Sequence, residues 1–207
     1  HVSTPRITGA SAFAKRSIDV VCSGLGLLLL FPLFAIVALV VKSDRGPVFF
    51  FQERVGIKGQ PFKMVKFRSM RTDAEEIKKQ LAAQNEGHGL LFKMANDPRV
   101  TPVGRFIRKY SIDELPQLWN VFKGDMSLVG PRPPLPEEVE KYEEMVYRRL
   151  LVKPGITGLW QVSGRSDLSW EESVRLDLYY VENWSLTTDF VILARTVRAV
   201  FAKDGAY

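Results

Sequence analysis

Histidine and cysteine are nearly missing from this 207-residue chain, which holds two of the first and one of the second. Cys22 alone excludes an intramolecular disulfide and a thiolate metal cage. His1 and His88 are too few for a zinc cluster. A catalytic triad would have to recruit His88, which stands between two glycines and reads as an exposed loop residue. Nucleotide-fold signatures are also lacking. There is no G-x-x-x-x-G-K-[ST] and no G-x-S-x-G, and GLGLLLL has no third glycine for a dinucleotide loop. No internal repeat or low-complexity stretch appears. Any chemistry must therefore rest on carboxylates, lysine and arginine, with or without a divalent ion. Negative charge is the scarcer sign: 23 acidic residues face 29 basic ones, a net +6. That balance favours anionic partners such as nucleic acid, acidic headgroups or phosphorylated substrates.

One stretch lacks charge altogether. Val20 to Val41, VVCSGLGLLLLFPLFAIVALVV, would span about 33 Å as a helix, enough to cross a bilayer. It has no polar face, so membrane contact is expected. Pro32 lacks the N–H that would bond Leu28 and pushes Phe31 from helical geometry. The two arms would each reach about halfway through the hydrocarbon. Lys15 and Arg16 before the run, and Lys42 and Arg45 after it, leave no preferred side by the positive-inside rule. A kinked spanning helix and a re-entrant U-turn both satisfy these features. Residues 1–14 read as an N-terminal extension or the cut edge of a longer chain. No small-residue cleavage site follows the apolar run, so a signal peptide is not indicated.

The remainder reads as a mostly helical α+β unit with a small β-hairpin element. Residues 46–70 contain two strand-like runs around Gly56 and Gly59. Thr72 with Glu75 predicts a capping box, and Thr101–Pro102 predicts a helix start. In that second helix Val103, Phe106, Ile107 and Tyr110 oppose Arg105, Arg108 and Lys109, as in a helix lying in a headgroup layer. Ser169 with Glu172 predicts another cap, and the chain closes on an amphipathic helix.

The chemistry concentrates in SIDELPQLWNVFKGDMSLVGPRP, residues 111–133. Asp113 and Glu114 fit helix capping, with Asp113 as N-cap and Pro116 at the third helical position. The same helix mouth attracts phosphate. Arg132, between two prolines, is a guanidinium on a stiffened backbone suited to a two-bond phosphate grip. Lys66, Arg68, Arg99, Arg108 and Arg165 add cations. Among them a carboxylate is expected to keep a depressed pKa, and so to stay ionised for metal binding or attack on phosphorus.

These blocks, with GPVFFFQERVGIKGQPFKMVKFRSM, NDPRVTPVGRFIRKY and KPGITGLWQVSGRSD, resemble in order and spacing the bacterial sugar transferases, the monotopic polyprenyl-phosphate phosphoglycosyl transferases. The resemblance runs from about Lys15 to the last helix. It implies transfer of a sugar 1-phosphate from a UDP-sugar to undecaprenyl phosphate, with release of UMP, as the first membrane step of glycan assembly. It implies Asp113 as nucleophile and Mg²⁺ ligand, and Glu114 as a partner that positions or deprotonates an incoming group. Arg132 would hold phosphate oxygens, with Lys66, Arg68, Arg108 and Arg165 as substrate contacts. It also favours the U-turn. The implied organisation is a re-entrant helix over 15–43, bent at Pro32, and an interfacial catalytic domain over 44–207 on the cytoplasmic face of the bacterial inner membrane. Implied partners are the two substrates and membrane lipids; homo-oligomerisation stays open and nucleic acid is not expected. The rival reading is a non-catalytic basic module that binds anionic lipid or a partner protein.

Overall fold

The computed structural model describes residues 7–81, 97–164 and 168–202. Helix α1 (Gly9–Val41) comes first, followed by a 3-10 turn over Lys42–Asp44. Strands β1 (Phe49–Val55) and β2 (Pro61–Phe67) form the expected hairpin, with Phe50 opposite Lys66 and Arg54 opposite Phe62. Helices α2 (Ala74–Leu81), α3 (Pro102–Lys109) and α4 (Gln117–Lys123) follow. Strand β3 (Ser127–Val129) pairs in parallel with β4 (Gly155–Thr157); the short α5 (Pro136–Val139) lies between them in the chain. Helices α6 (Trp170–Glu182) and α7 (Leu186–Ala202) close the described chain.

Two predicted caps form. The Thr101 side chain accepts from Gly104 N–H, and Ser169 and Glu172 make a reciprocal capping box. At α2 the start differs from expectation: the Asp73 carbonyl accepts from Ile77 N–H, and Asp73 pairs with Arg71. The amphipathic reading of α3 divides: Ile107 is buried, whereas Phe106 is 58% exposed and packs on Tyr110.

The expected break at Pro32 is corrected: helix α1 is continuous through it, since the proline removes only the one bond to Leu28. The helix is long and apolar enough to cross a membrane. Only 11% of its most apolar window is buried, so most of its side chains face outward. The polar turns at its start are, by contrast, built into the rest of the protein. Lys15 Nζ donates to Val129 O at 3.0 Å and pairs with Asp189 of α7. Arg16 caps the C-terminal end of α4 through Val121 O at 2.6 Å and Phe122 O at 2.8 Å, where a helix end attracts cations. Asp19 accepts from Leu128 N–H at 3.0 Å. The far end of the helix packs on the same body: Val37 and Val41 share a core cluster with Phe67 and Ile107. Between these anchors Gly24 and Gly26 admit the Phe122 and Leu118 side chains of α4.

Two further core clusters stabilise the globular part. Met64, Val121 and Met126 join the hairpin to α4. Val129, Tyr180, Val181, Trp184 and Ile192 join β3 to α6 and α7. At about 25 cal/mol per Å² of buried apolar surface, such side chains contribute roughly 1.5–3 kcal/mol each.

Candidate active site

The chain turns sharply before the two carboxylates. Ser111 adopts a left-handed conformation at φ 55°, ending α3, and Ile112–Glu114 form a single 3-10 turn. The residue flanking α4 is Pro116, not Asp113, so the expected N-cap role of Asp113 is corrected. Lacking an N–H, Pro116 cannot donate to an earlier carbonyl, and regular helix begins after it. Neither acidic side chain caps α4. What the turn achieves is to aim Asp113 inward, with 7% exposure, while Glu114 remains partly exposed.

Their electrostatics differ. Burial raises the Asp113 carboxyl, the neighbouring Glu114 charge raises it further, and Lys66 and Arg108 counteract only in part, leaving it at about 6. The expected depression is therefore corrected: desolvation outweighs the cations. No other described residue hydrogen-bonds the Asp113 carboxyl. Burial also opposes ionisation of Glu114, but the charge and hydrogen bond of Lys66, with Arg132 and Arg54, outweigh it and hold it below the ordinary carboxylate value. Lys66 Nζ lies 2.7 Å from Glu114 Oε1.

Arg132 follows β3 on an arch whose backbone is clamped by β4. Gly130 N–H donates to Thr157 O and Gly155 N–H to Pro131 O, each at 2.9 Å. A Cβ on Gly130 would stand 2.4 Å from Lys153 O, so the two segments cross too closely for a side chain there. The Arg132 guanidinium pairs with the buried Glu138 of α5 at 3.0 Å. Beside it, Arg54 of β1 donates to Pro133 O at 2.9 Å, and Val55 N–H donates to Pro134 O at 3.0 Å. Burial, then the charge of Arg132, lowers Arg54 to about 10.

Lys66, Arg108 and Arg132 thus act on the Asp113–Glu114 pair. Arg68 is placed elsewhere. Its guanidinium bonds both oxygens of Asp44 and the carbonyls of Val41, Pro47 and Met70. All five of its N–H groups are thereby committed, which makes it a clamp between α1 and the hairpin. Arg99 is likewise paired, with Asp97 at 2.6 Å. Arg165 and His88 lie outside the described residues. Arg54 and Glu138 were not anticipated. The first is visible only through the hairpin register, and the second reads as one more surface acid in EEVEKYEE.

Among the described residues no three His, Cys, Asp or Glu side chains cluster as a metal cage. Two adjacent carboxylates, one of them disfavoured as an anion by burial and its neighbour, still suit magnesium. That ion is commonly held by one or two carboxylates with waters and substrate phosphates.

Residues 10–203 match a family model described as bacterial sugar transferase. The chain is 50% identical to galactosyl transferase CpsE of Streptococcus agalactiae over 93% of its own length and 43% of that protein. It is 48% identical to undecaprenyl-phosphate galactose phosphotransferase of Salmonella typhimurium, over 96% of this chain and 42% of that protein. It is 45% identical to exopolysaccharide production protein ExoY of Rhizobium meliloti, over 98% of this chain and 94% of that one. The chain spans about two fifths of the length of the first two relatives. The blocks around Asp113, Arg132 and Lys66 thus lie in a chain that belongs to the bacterial sugar transferase family.

Proposed function

We propose that this protein transfers a sugar 1-phosphate from a UDP-sugar to undecaprenyl phosphate. The observation that carries the reading is Asp113, a buried carboxylate without a bonding partner on another described residue, acted on by the charges of Lys66 and Arg108. The family membership and the name of the Salmonella relative supply the substrate class.

In the first half-reaction an ionised Asp113 oxygen attacks the sugar-linked phosphorus. The bond from that phosphorus to the bridging oxygen breaks, and UMP leaves with the electron pair. In the second, a phosphate oxygen of undecaprenyl phosphate attacks the same phosphorus, releasing the Asp113 carboxylate and forming the diphosphate-linked sugar. Phosphoryl transfer of this kind needs positioning and charge stabilisation more than acid–base tuning. Lys66, Arg108 and Arg132 supply positive charge for the phosphate oxygens. Glu114, held below its ordinary pKa, is a poor base at neutral pH; its role here is to anchor Lys66 beside the reacting group. A magnesium ion held by Asp113 would neutralise phosphate charge.

The site is assigned to the cytoplasmic face of the bacterial inner membrane. A helix that does not carry its ends to opposite faces is supported by the attachment of both ends of α1 to one globular body, through Lys15 and Arg16 at one end and Val37 and Val41 at the other. Exposed Trp119, Phe106 and Phe190, with outward-facing α1, give that body an apolar surface for lipid.

The decisive experiment incubates the protein with UDP-sugar and Mg²⁺ and seeks a phosphosugar adduct at position 113 by mass spectrometry. The adduct is expected in wild type and absent in Asp113→Asn, which also loses UMP release while remaining membrane-bound. Turnover without any adduct would overturn the covalent route.

A further inference from the structure

Glu138 is a buried ionisable group that the proposed chemistry does not use. It is 1% exposed, and among the described residues its carboxylate bonds only to Arg132. Arg132 Nη1 reaches both oxygens, at 3.3 and 3.0 Å, and Nη2 reaches one at 3.3 Å. The Nε–H and the outer Nη2 hydrogen remain uncommitted among the described residues, an edge with the fork geometry that phosphate takes. A second guanidinium, Arg54, stands nearby and carries like charge. Glu114 and Asp177 also interact with the Arg132 charge, but among the described residues only Glu138 hydrogen-bonds the guanidinium, and so sets its direction against the repulsion of Arg54. The backbone on either side is already fixed by Pro131 and Pro133 and by the bond from Gly155 N–H to Pro131 O, so the side chain is the remaining freedom. A desolvated carboxylate in that place costs several kcal/mol to bury and is a poor device for stability alone. It is well suited to holding one guanidinium pose.

From these contacts we infer that Glu138 is a positioning residue for the transfer reaction: it holds the Arg132 guanidinium with one edge presented to substrate phosphate. This rests on the reading of Arg132 as a phosphate-binding group. Glu138 then acts in the reaction through Arg132, without itself touching substrate. A purely structural Glu138 would, when changed, lower the amount of folded enzyme and leave the KM of the survivors alone.

The test is steady-state kinetics of UMP release by the full chain in membranes, for Glu138→Gln, Glu138→Asp, Arg132→Ala and Arg132→Ala/Glu138→Gln. Loss of a charge-assisted bond of this class corresponds to about a tenfold change or more in affinity. Glu138→Gln is expected to raise the UDP-sugar KM about tenfold with kcat, per folded molecule, nearly unchanged. Glu138→Asp keeps the charge but draws it back; it should fall between wild type and Gln, and it serves if Gln does not fold. In the Arg132→Ala background, Glu138→Gln should add nothing further, because its effect passes through Arg132. Wild-type KM in the folded Glu138 variants, or full additivity in the double variant, overturns the positioning role while leaving the phosphate-binding reading of Arg132 standing. An unchanged KM in Arg132→Ala overturns that reading and this inference together.

Discussion

In the proposed reaction Asp113 has to be an anion to attack phosphorus, yet its surroundings favour the proton, and the conflict is measurable. Its carboxyl is raised from 3.8 to about 6, first by burial and then by Glu114. Between roughly pH 4 and 6 the folded protein therefore binds more protons than the unfolded chain, and stability falls as pH rises through that window. Above pH 6 the cost is complete, on the order of 2–3 kcal/mol at 1.36 kcal/mol per pKa unit. Asp113→Asn removes it. The variant should melt above wild type at pH 8 in EDTA, with the gap closing near pH 4, as followed by thermal unfolding. Equal melting points at pH 8 would show that Asp113 carries no such burden. Millimolar Mg²⁺ should raise the wild-type melting point and leave Asp113→Asn unmoved, because an ion that binds only the folded site stabilises by mass action. Catalysis should have the opposite slope to stability, with kcat/KM for the donor declining below about pH 6 as Asp113 is protonated.

The elements were legible in the sequence where they depend on near neighbours. The hairpin announces itself by two strand-like runs around glycines, and α3 and α6 by Thr101 and Ser169 at their starts. Features built from distant residues were hidden. Nothing local predicts that Ser127–Val129 pairs in parallel with Gly155–Thr157, a pairing that arranges the arch carrying Arg132. Nor does composition separate Arg68 from Arg132: both are arginines in loop-flanked segments. One spends its donors around the end of α1, on Val41 and Asp44 among others, whereas the other pairs with Glu138 and acts on Glu114 by charge. Asp44 responds to that bond by dropping to about 2, with the Arg68 hydrogen bonds as the largest cause. Arg68→Met should accordingly destabilise the α1–hairpin junction, by about 2 kcal/mol for the lost charge-assisted bonds and stranded carbonyls. The donor KM of the folded fraction should not change. A several-fold rise in KM without loss of stability would return Arg68 to the substrate.

For the whole molecule the governing fact is how one oily helix joins a charged body. A helix that crossed the bilayer would carry its two ends to opposite faces, about 30 Å of hydrocarbon apart. Here the first polar turns of α1 meet β3, α4 and α7 through Lys15, Arg16 and Asp19, and the last turn meets Phe67 and Ile107. Releasing either end would leave buried charge unpaired or strip apolar side chains of their partners, each a cost of a few kcal/mol. Since one body holds both ends, both are expected on the side of the membrane where that body lies. Lys15 is a poor reporter because it is buried, whereas Ala10, in the first turn of α1, and Ser43, just beyond its end, are exposed. In a Cys22→Ser background, Ala10→Cys and Ser43→Cys should react with an impermeant maleimide only after the cytoplasmic face is opened, and at similar rates. Labelling of the two from opposite faces in intact cells would establish a spanning helix. It would also mean that the junctions at Lys15 and Val41 cannot both persist in the bilayer, and the arrangement of β3, and with it Arg132, would then have to be set without the membrane helix.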